Sequence, residues 1–169
     1  MSLHLVTAPQ FSNMLGNLER WLDKAVEHAA SRSFDPNVLV QSRLAPDQFA
    51  LARQVQIACD TAKISVSLIT GKDAPKHPDT EQTIAELKAR IASVRSYLDA
   101  FEPGDFEGAE GRVLSPPALK GRSIKAADYA AGFSLPNFYF HVSMAYAILR
   151  HNGVPVGKLD YLGRINLID

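Results

Sequence analysis

His141 is the residue of this chain best placed to do chemistry. Phe138, Ala145, Ile148 and Leu149 share its helical face, at three, four, seven and eight residues' distance. An imidazole on such a face points inward, where it needs hydrogen-bond partners or costs free energy. It reads either as a core histidine held by a hydrogen bond or as a site residue acting as ligand or general base. Asp60 is the second candidate, a carboxylate in a mostly apolar helix. Such a group is rarely buried without a partner, and Arg53, Lys63, Arg150 or His141 could supply one. Asp60 is therefore either one half of an ion pair or a site carboxylate. Gln54 lies on the same helix, six residues earlier. Tyr146 and Arg150 are four apart and share one helix face. They could hold a small anion, or form a surface or interface contact. His141, Asp60, Gln54, Tyr146 and Arg150 together make up the candidate pocket.

Other reactive side chains have plainer readings. Cys59, the only cysteine, falls in an apolar helical stripe and reads as an inert buried thiol. His151 at a helix end suits the helix dipole. His4, His28 and His77 are expected to be exposed. The chain has no Cys-x-x-Cys motif, serine elbow or phosphate-binding loop. One histidine and one aspartate fall short of the three or four ligands zinc needs, and no clustered carboxylates offer a hard cation its oxygens.

Four helices must position these residues. The first is expected over 8–31, opened by Pro9 and carrying an apolar stripe from Phe11 through Trp21 to Ala29. The second is expected over 47–71, from Asp47 to a stop at Gly71. It is apolar on more than one side, so it should be central, and its polar residues Gln54, Gln56, Asp60, Lys63 and Ser67 are informative. The third, over 79–101, opens with a capping-box spacing from Asp79 to Gln82. It carries a seam of Ile84, Leu87, Ile91, Val94, Leu98 and Phe101, with Arg90 on its solvated face. The last, over 135–152, ends at Asn152-Gly153. The glycines and prolines of 104–132 exclude a long helix there. Arg112-Val113-Leu114 and Arg122-Ser123-Ile124-Lys125 suit a small hairpin, with a helical turn over 126–133. The expected fold is therefore mainly all-α: one domain, 1–169, an up-down four-helix bundle with a β-hairpin or loop insertion before the last helix.

Charge and composition narrow the function classes. Eighteen basic residues balance eighteen acidic ones. A general nucleic-acid binder needs a basic excess to displace counterions, and so does a polybasic membrane-surface protein. Zero net charge also leaves little self-repulsion, and a homodimer is expected. No apolar run approaches the ~20 residues that span a bilayer. The N-terminal MSLHLVTAPQF does not read as a secretory signal, so the expected compartment is the cytoplasm.

Pro9, Phe11, Leu44-Ala45-Pro46-Asp47, Ala52-Arg53-Gln54-Val55-Gln56 and Asp60-Thr61-Ala62 carry a resemblance. So, above all, do Pro136-Asn137-Phe138-Tyr139-Phe140-His141 and the run from Ala145 to Val154. With the order of helices, they resemble a bacterial domain-of-unknown-function family within the DinB/YfiT-like metalloenzyme superfamily. The resemblance implies a four-helix bundle. Metal-binding members of that superfamily carry three histidines around one divalent ion, one on the second helix and two, four apart, on the last. Some are linked to thiol-dependent group transfer or hydrolysis. His141 matches the first histidine of the last helix, but Ala145 stands at the second position and the second helix has none. The full histidine triad is missing.

Three functional expectations follow. The first is an uncharacterised cytoplasmic bundle that binds a small ligand. The second is a degenerate metal-dependent, thiol-linked transferase or hydrolase that uses His141 with Asp60 and Gln54; the metal implied is zinc, nickel, manganese or iron. The third is a structural or interaction protein whose polar core residues serve packing alone. The second requires His141, Asp60 and Gln54 to converge on one solvent-reachable cavity.

Overall fold

A computed structural model describes residues 2–165; the domain limits expected at 1 and 169 lie outside the described residues. Four helices form the body: α2 (Ala8–Ser31), α3 (Leu51–Thr70), α4 (Ile84–Leu98) and α6 (Leu135–His151). A single turn, α1 (Leu3–Val6), precedes them. Strands β1 (Val113–Leu114) and β2 (Ile124–Lys125) pair antiparallel in the insertion, with Val113 opposite Lys125. One helical turn, α5 (Ala126–Tyr129), follows β2, and α7 (Lys158–Leu162) closes the described chain.

The stripe of α2 is buried as its spacing requires, with Phe11, Leu15, Leu18, Trp21 and Leu22 in the core, while Val26 at its edge is exposed. Helix α3 is buried on several sides, as a central helix should be. Gly71 and Gly153 end α3 and α6 with left-handed backbones, φ 79° and 87°, which a residue without Cβ adopts freely.

Two helix starts differ from expectation. Pro46-Asp47 form a turn, closed by Gln48 N–H donating to Ala45 O, and α3 begins four residues after Asp47. Helix α4 begins at Ile84 rather than at Asp79. The cap is Thr83, whose hydroxyl accepts from Glu86 N–H while the Glu86 carboxylate accepts from Thr83 N–H. Asp79 cannot act as the cap because Arg53 and Arg90 hold its carboxylate.

The helix directions follow from the side chains that meet. Phe11 packs on Phe138 and Trp21 on Tyr146, so α2 and α6 run parallel. Glu19 pairs with Arg95 and Asp23 with Lys88, so α2 and α4 run antiparallel. Asp60 meets Arg90 and Lys72 meets Tyr97, so α3 and α4 are parallel. The order is up, down, down, up. Residues 71–83 make this possible: thirteen residues in extended form are long enough to return along α3 before α4 begins.

Antiparallel α3 and α6 share the most extensive helix interface. Three polar rungs cross it: Gln54 to His141, Thr61 to Asn137, and Ser65 to Ser134. Each couples one residue of α3 to one on, or just before, α6. A one-turn slip between the helices would leave several buried polar groups unpaired.

Candidate functional site

The rung between His141 and Gln54 is closed on itself. His141 is only 7% exposed. Its Nδ1 lies 2.7 Å from Gln54 Oε1, and Gln54 Nε2 donates to Phe49 O at 3.1 Å. That second bond fixes the amide, so Oε1 must accept and His141 must carry its proton on Nδ1. Burial pushes the imidazole down to about 4, with the nearby Arg53 charge adding to the effect. The ring is therefore neutral at pH 7.

Asp60 belongs to a different constellation. Six residues along α3 from Gln54, it lies ~9 Å further down the axis and on another face. Its Oδ1 takes Arg90 at 2.7 Å and Lys63 at 2.9 Å. Arg90 is 3% exposed and also meets Asp79 at 2.6 Å and Glu81 at 3.0 Å. This corrects the expectation that Arg90 lies on a solvated face. Burial disfavours its charge, but bonds to Glu81 and Asp79 and the Asp60 charge outweigh that and hold the guanidinium more firmly protonated than usual. Gln56 donates to Glu81 at 2.9 Å, and Arg53 reaches Asp79 at 2.6 Å. His77, expected to be exposed, is half-buried. Its Nδ1 accepts from Lys63 Nζ at 2.7 Å and its Nε2 faces Ser93 Oγ at 3.2 Å. Burial, then the Lys63 charge, lowers its pKa. His4 and His28 are half-buried too.

The remaining candidates lie elsewhere. Tyr146 packs edge-on against Trp21 and Tyr161, and its hydroxyl donates to Val156 O at 3.4 Å. Arg150 is exposed near the end of α6. Cys59 is fully buried, and burial pushes its thiol up to about 12, far from a reactive thiolate. Of the five candidate residues the structure joins only His141 and Gln54.

Nor does this donor set fit a transition metal. Gln54 holds the Nδ1–H and leaves Nε2 as the one ligand atom His141 could offer, but Ala145 occupies the position one turn on, where a second ligand would stand. Among the described residues, no three His, Cys, Asp or Glu side chains gather closely enough to hold an ion.

A cavity of about 200 Å³ opens at the other end of the α3–α6 seam, where the hairpin insertion closes over it. Ile57 and Ile64 of α3 floor it, and Pro116, Pro117 and Ala118 of the insertion form one wall. Tyr129 and Phe133 form another, their rings stacked 5.5 Å apart at 17°. Asp60, Thr61 and Asn137 give it one polar end, where Asn137 Nδ2 donates to Thr61 Oγ1 at 2.7 Å. Residues Ala130–Ser134 form a π-helical turn between α5 and α6, beneath Phe133. Such turns recur at functional sites because the extra residue re-aims neighbouring side chains. Four larger concavities are more open. One of about 800 Å³ is a groove between α2 and α4 edged by Asp23, Glu27 and Lys88. One of about 460 Å³ at the start of α3 is lined by Arg53, Asp79 and Glu81, which are already paired.

Thr61 and Asn137 enter the sequence reading only as residues that carry the family resemblance, and Tyr129 and Phe133 not as site residues at all. The available signal was a run of aromatics and small residues from Tyr129 to Ser134 leading into a helix. Arg90 was missed because its helical position looks solvated until the returning 71–83 segment covers it.

Residues 3–162 match the family model for the Domain of unknown function (DUF1993). A solved structure of a DinB family member protein from Shewanella denitrificans is similar at 50% identity and TM-score 0.94. The match covers 99% of this chain and 95% of that one. No curated protein matches the chain.

Proposed function

The chain belongs to the DUF1993 family of DinB-like four-helix bundles, and from that premise we propose that it is a small-ligand-binding protein whose site is the cavity between α3, α6 and the hairpin insertion. One observation carries the reading. A half-enclosed, mainly apolar cavity meets a few convergent polar groups, Asp60, Thr61 and Asn137, beside a π-helical turn. At about 200 Å³ it is smaller than the ~300 Å³ at which drug-sized pockets begin, so its ligand is small. His141 holds the register of α3 against α6 and so positions the site without touching it. With one buried, unbridged thiol, the chain suits the reducing cytoplasm.

A binding screen tests this. Small aromatic and aliphatic molecules are titrated into the ¹⁵N-labelled protein. The expected hit moves the amides of Thr61, Tyr129 and Asn137, and Ile57→Trp, which fills the cavity, abolishes it. Hits that move only other regions, or that survive Ile57→Trp, would refute the reading.

A further inference from the structure

The cavity's chemistry is specific enough to name the class of its ligand. A dry apolar cavity of ~150 Å³ holds one benzene ring. At about 200 Å³, this one takes a single ring with a small substituent. Tyr129 and Phe133, stacked on one another, and Pro116 and Pro117 line the cavity with flat, rigid rings. The polar end is set by Asp60, whose side chain remains 26% exposed. Both of its cationic partners, Arg90 and Lys63, bind Oδ1. Oδ2 is left as the acceptor for a ligand, and a carboxylate oxygen selects a donor. Charge is selected as well. A ligand cation would add a third positive charge beside Arg90 and Lys63, which already neutralise Asp60, and an anion would meet the carboxylate itself.

Resting on the assignment of the cavity as the binding site, we propose that it selects an uncharged, single-ring aromatic molecule bearing an O–H or N–H donor, aligned on Tyr129 and Phe133 and bonded to Asp60. A bond to a charged acceptor discriminates by roughly tenfold or more, because the ligand lacking the donor also leaves the acceptor unpaired.

The experiment compares three probes by calorimetry and ¹⁵N shifts on the full chain: 4-methylphenol, its near-isostere 4-fluorotoluene, and the cation 4-methylbenzylammonium. The expected result is binding of 4-methylphenol at least tenfold tighter than either of the others. In Asp60→Asn the amide oxygen still accepts from Arg90 and Lys63, and the phenol exchanges a charge-assisted bond for a neutral one from the N–H₂, so the advantage over 4-fluorotoluene should fall. Equal affinities for 4-methylphenol and 4-fluorotoluene, both blocked by Ile57→Trp, would overturn the selectivity and leave the binding site standing. Preferential binding of the cation would likewise overturn it. If none of the three binds in the cavity, the aromatic selectivity is overturned, and the wider screen of aromatic and aliphatic molecules decides the site itself. The ligand comparison on the unmodified protein decides the matter even if Asp60→Asn does not fold.

Discussion

Lowering the pH from 7 to 5 should destabilise this protein through His141, and His141→Gln should remove that sensitivity. In the fold the imidazole is neutral, with burial holding it at about 4 against an ordinary value of 6.5. The unfolded chain therefore binds a proton that the folded chain refuses. The stabilisation is present above pH 6.5 and is lost as pH falls from there through 4. Integrated over that shift, the loss between pH 7 and pH 5 is about 2 kcal/mol. His77, also lowered, loses stability in the same direction. Asp79 and Glu81 are held below the usual carboxylate range and titrate lower still. Burial raises both, but bonds from Arg53 and Arg90 to Asp79, and from Arg90 and Gln56 to Glu81, outweigh it. These groups are present in both proteins and cancel in the comparison. A glutamine at 141 keeps a donor for Gln54 Oε1 but has no proton to bind. The assay is urea unfolding followed by circular dichroism at pH 7 and pH 5 for both proteins. The wild type should lose about 2 kcal/mol more than the variant across the interval. Equal losses in the two proteins would mean that His141 is not held neutral by burial, and the closed His141–Gln54 rung would be refuted.

Arg90→Met should cost about 3–5 kcal/mol in urea unfolding at pH 7, because Asp60, Asp79 and Glu81 lose a shared buried partner; a cost under about 1 kcal/mol would place the guanidinium in solvent. Protein purified without a metal-affinity tag should contain less than stoichiometric zinc, nickel, manganese and iron by elemental analysis. One equivalent of any of them, lost on His141→Ala, would revive the thiol-linked transferase reading. Light scattering at tens of micromolar should give the mass of a homodimer, as the balanced charge of the chain predicts; a monomer mass would count against it.

Periodicity made the four helices legible. The stripe from Phe11 to Ala29 defines α2, and Gly71 and Gly153 mark the stops of α3 and α6. The hairpin was readable because prolines and glycines break up two short β-prone runs. Starts were less legible than stops. Asp79 looks like a cap, yet a tertiary ion pair with Arg53 and Arg90 takes its carboxylate, and the cap passes to Thr83. Partner choice was less legible still. Asp60 in an apolar helix announced the need for a cation, but the sequence left Arg53, Lys63 and Arg150 as equals and counted Arg90 as solvated.

His141 shows where the division falls. By itself the sequence determined that a histidine would face inward from the last helix, because a 3.6-residue period fixes the direction of every side chain on a helix. It also determined that the superfamily's triad is incomplete, since that depends only on which residues stand where. Only the tertiary structure decided that Gln54, not Asp60, is its partner, and that the cavity lies further along the seam, beside Asp60, Thr61 and Asn137. Those facts depend on the register of α3 against α6 and on the path of 71–83. Both are set by contacts between residues far apart in the chain, which no local pattern encodes.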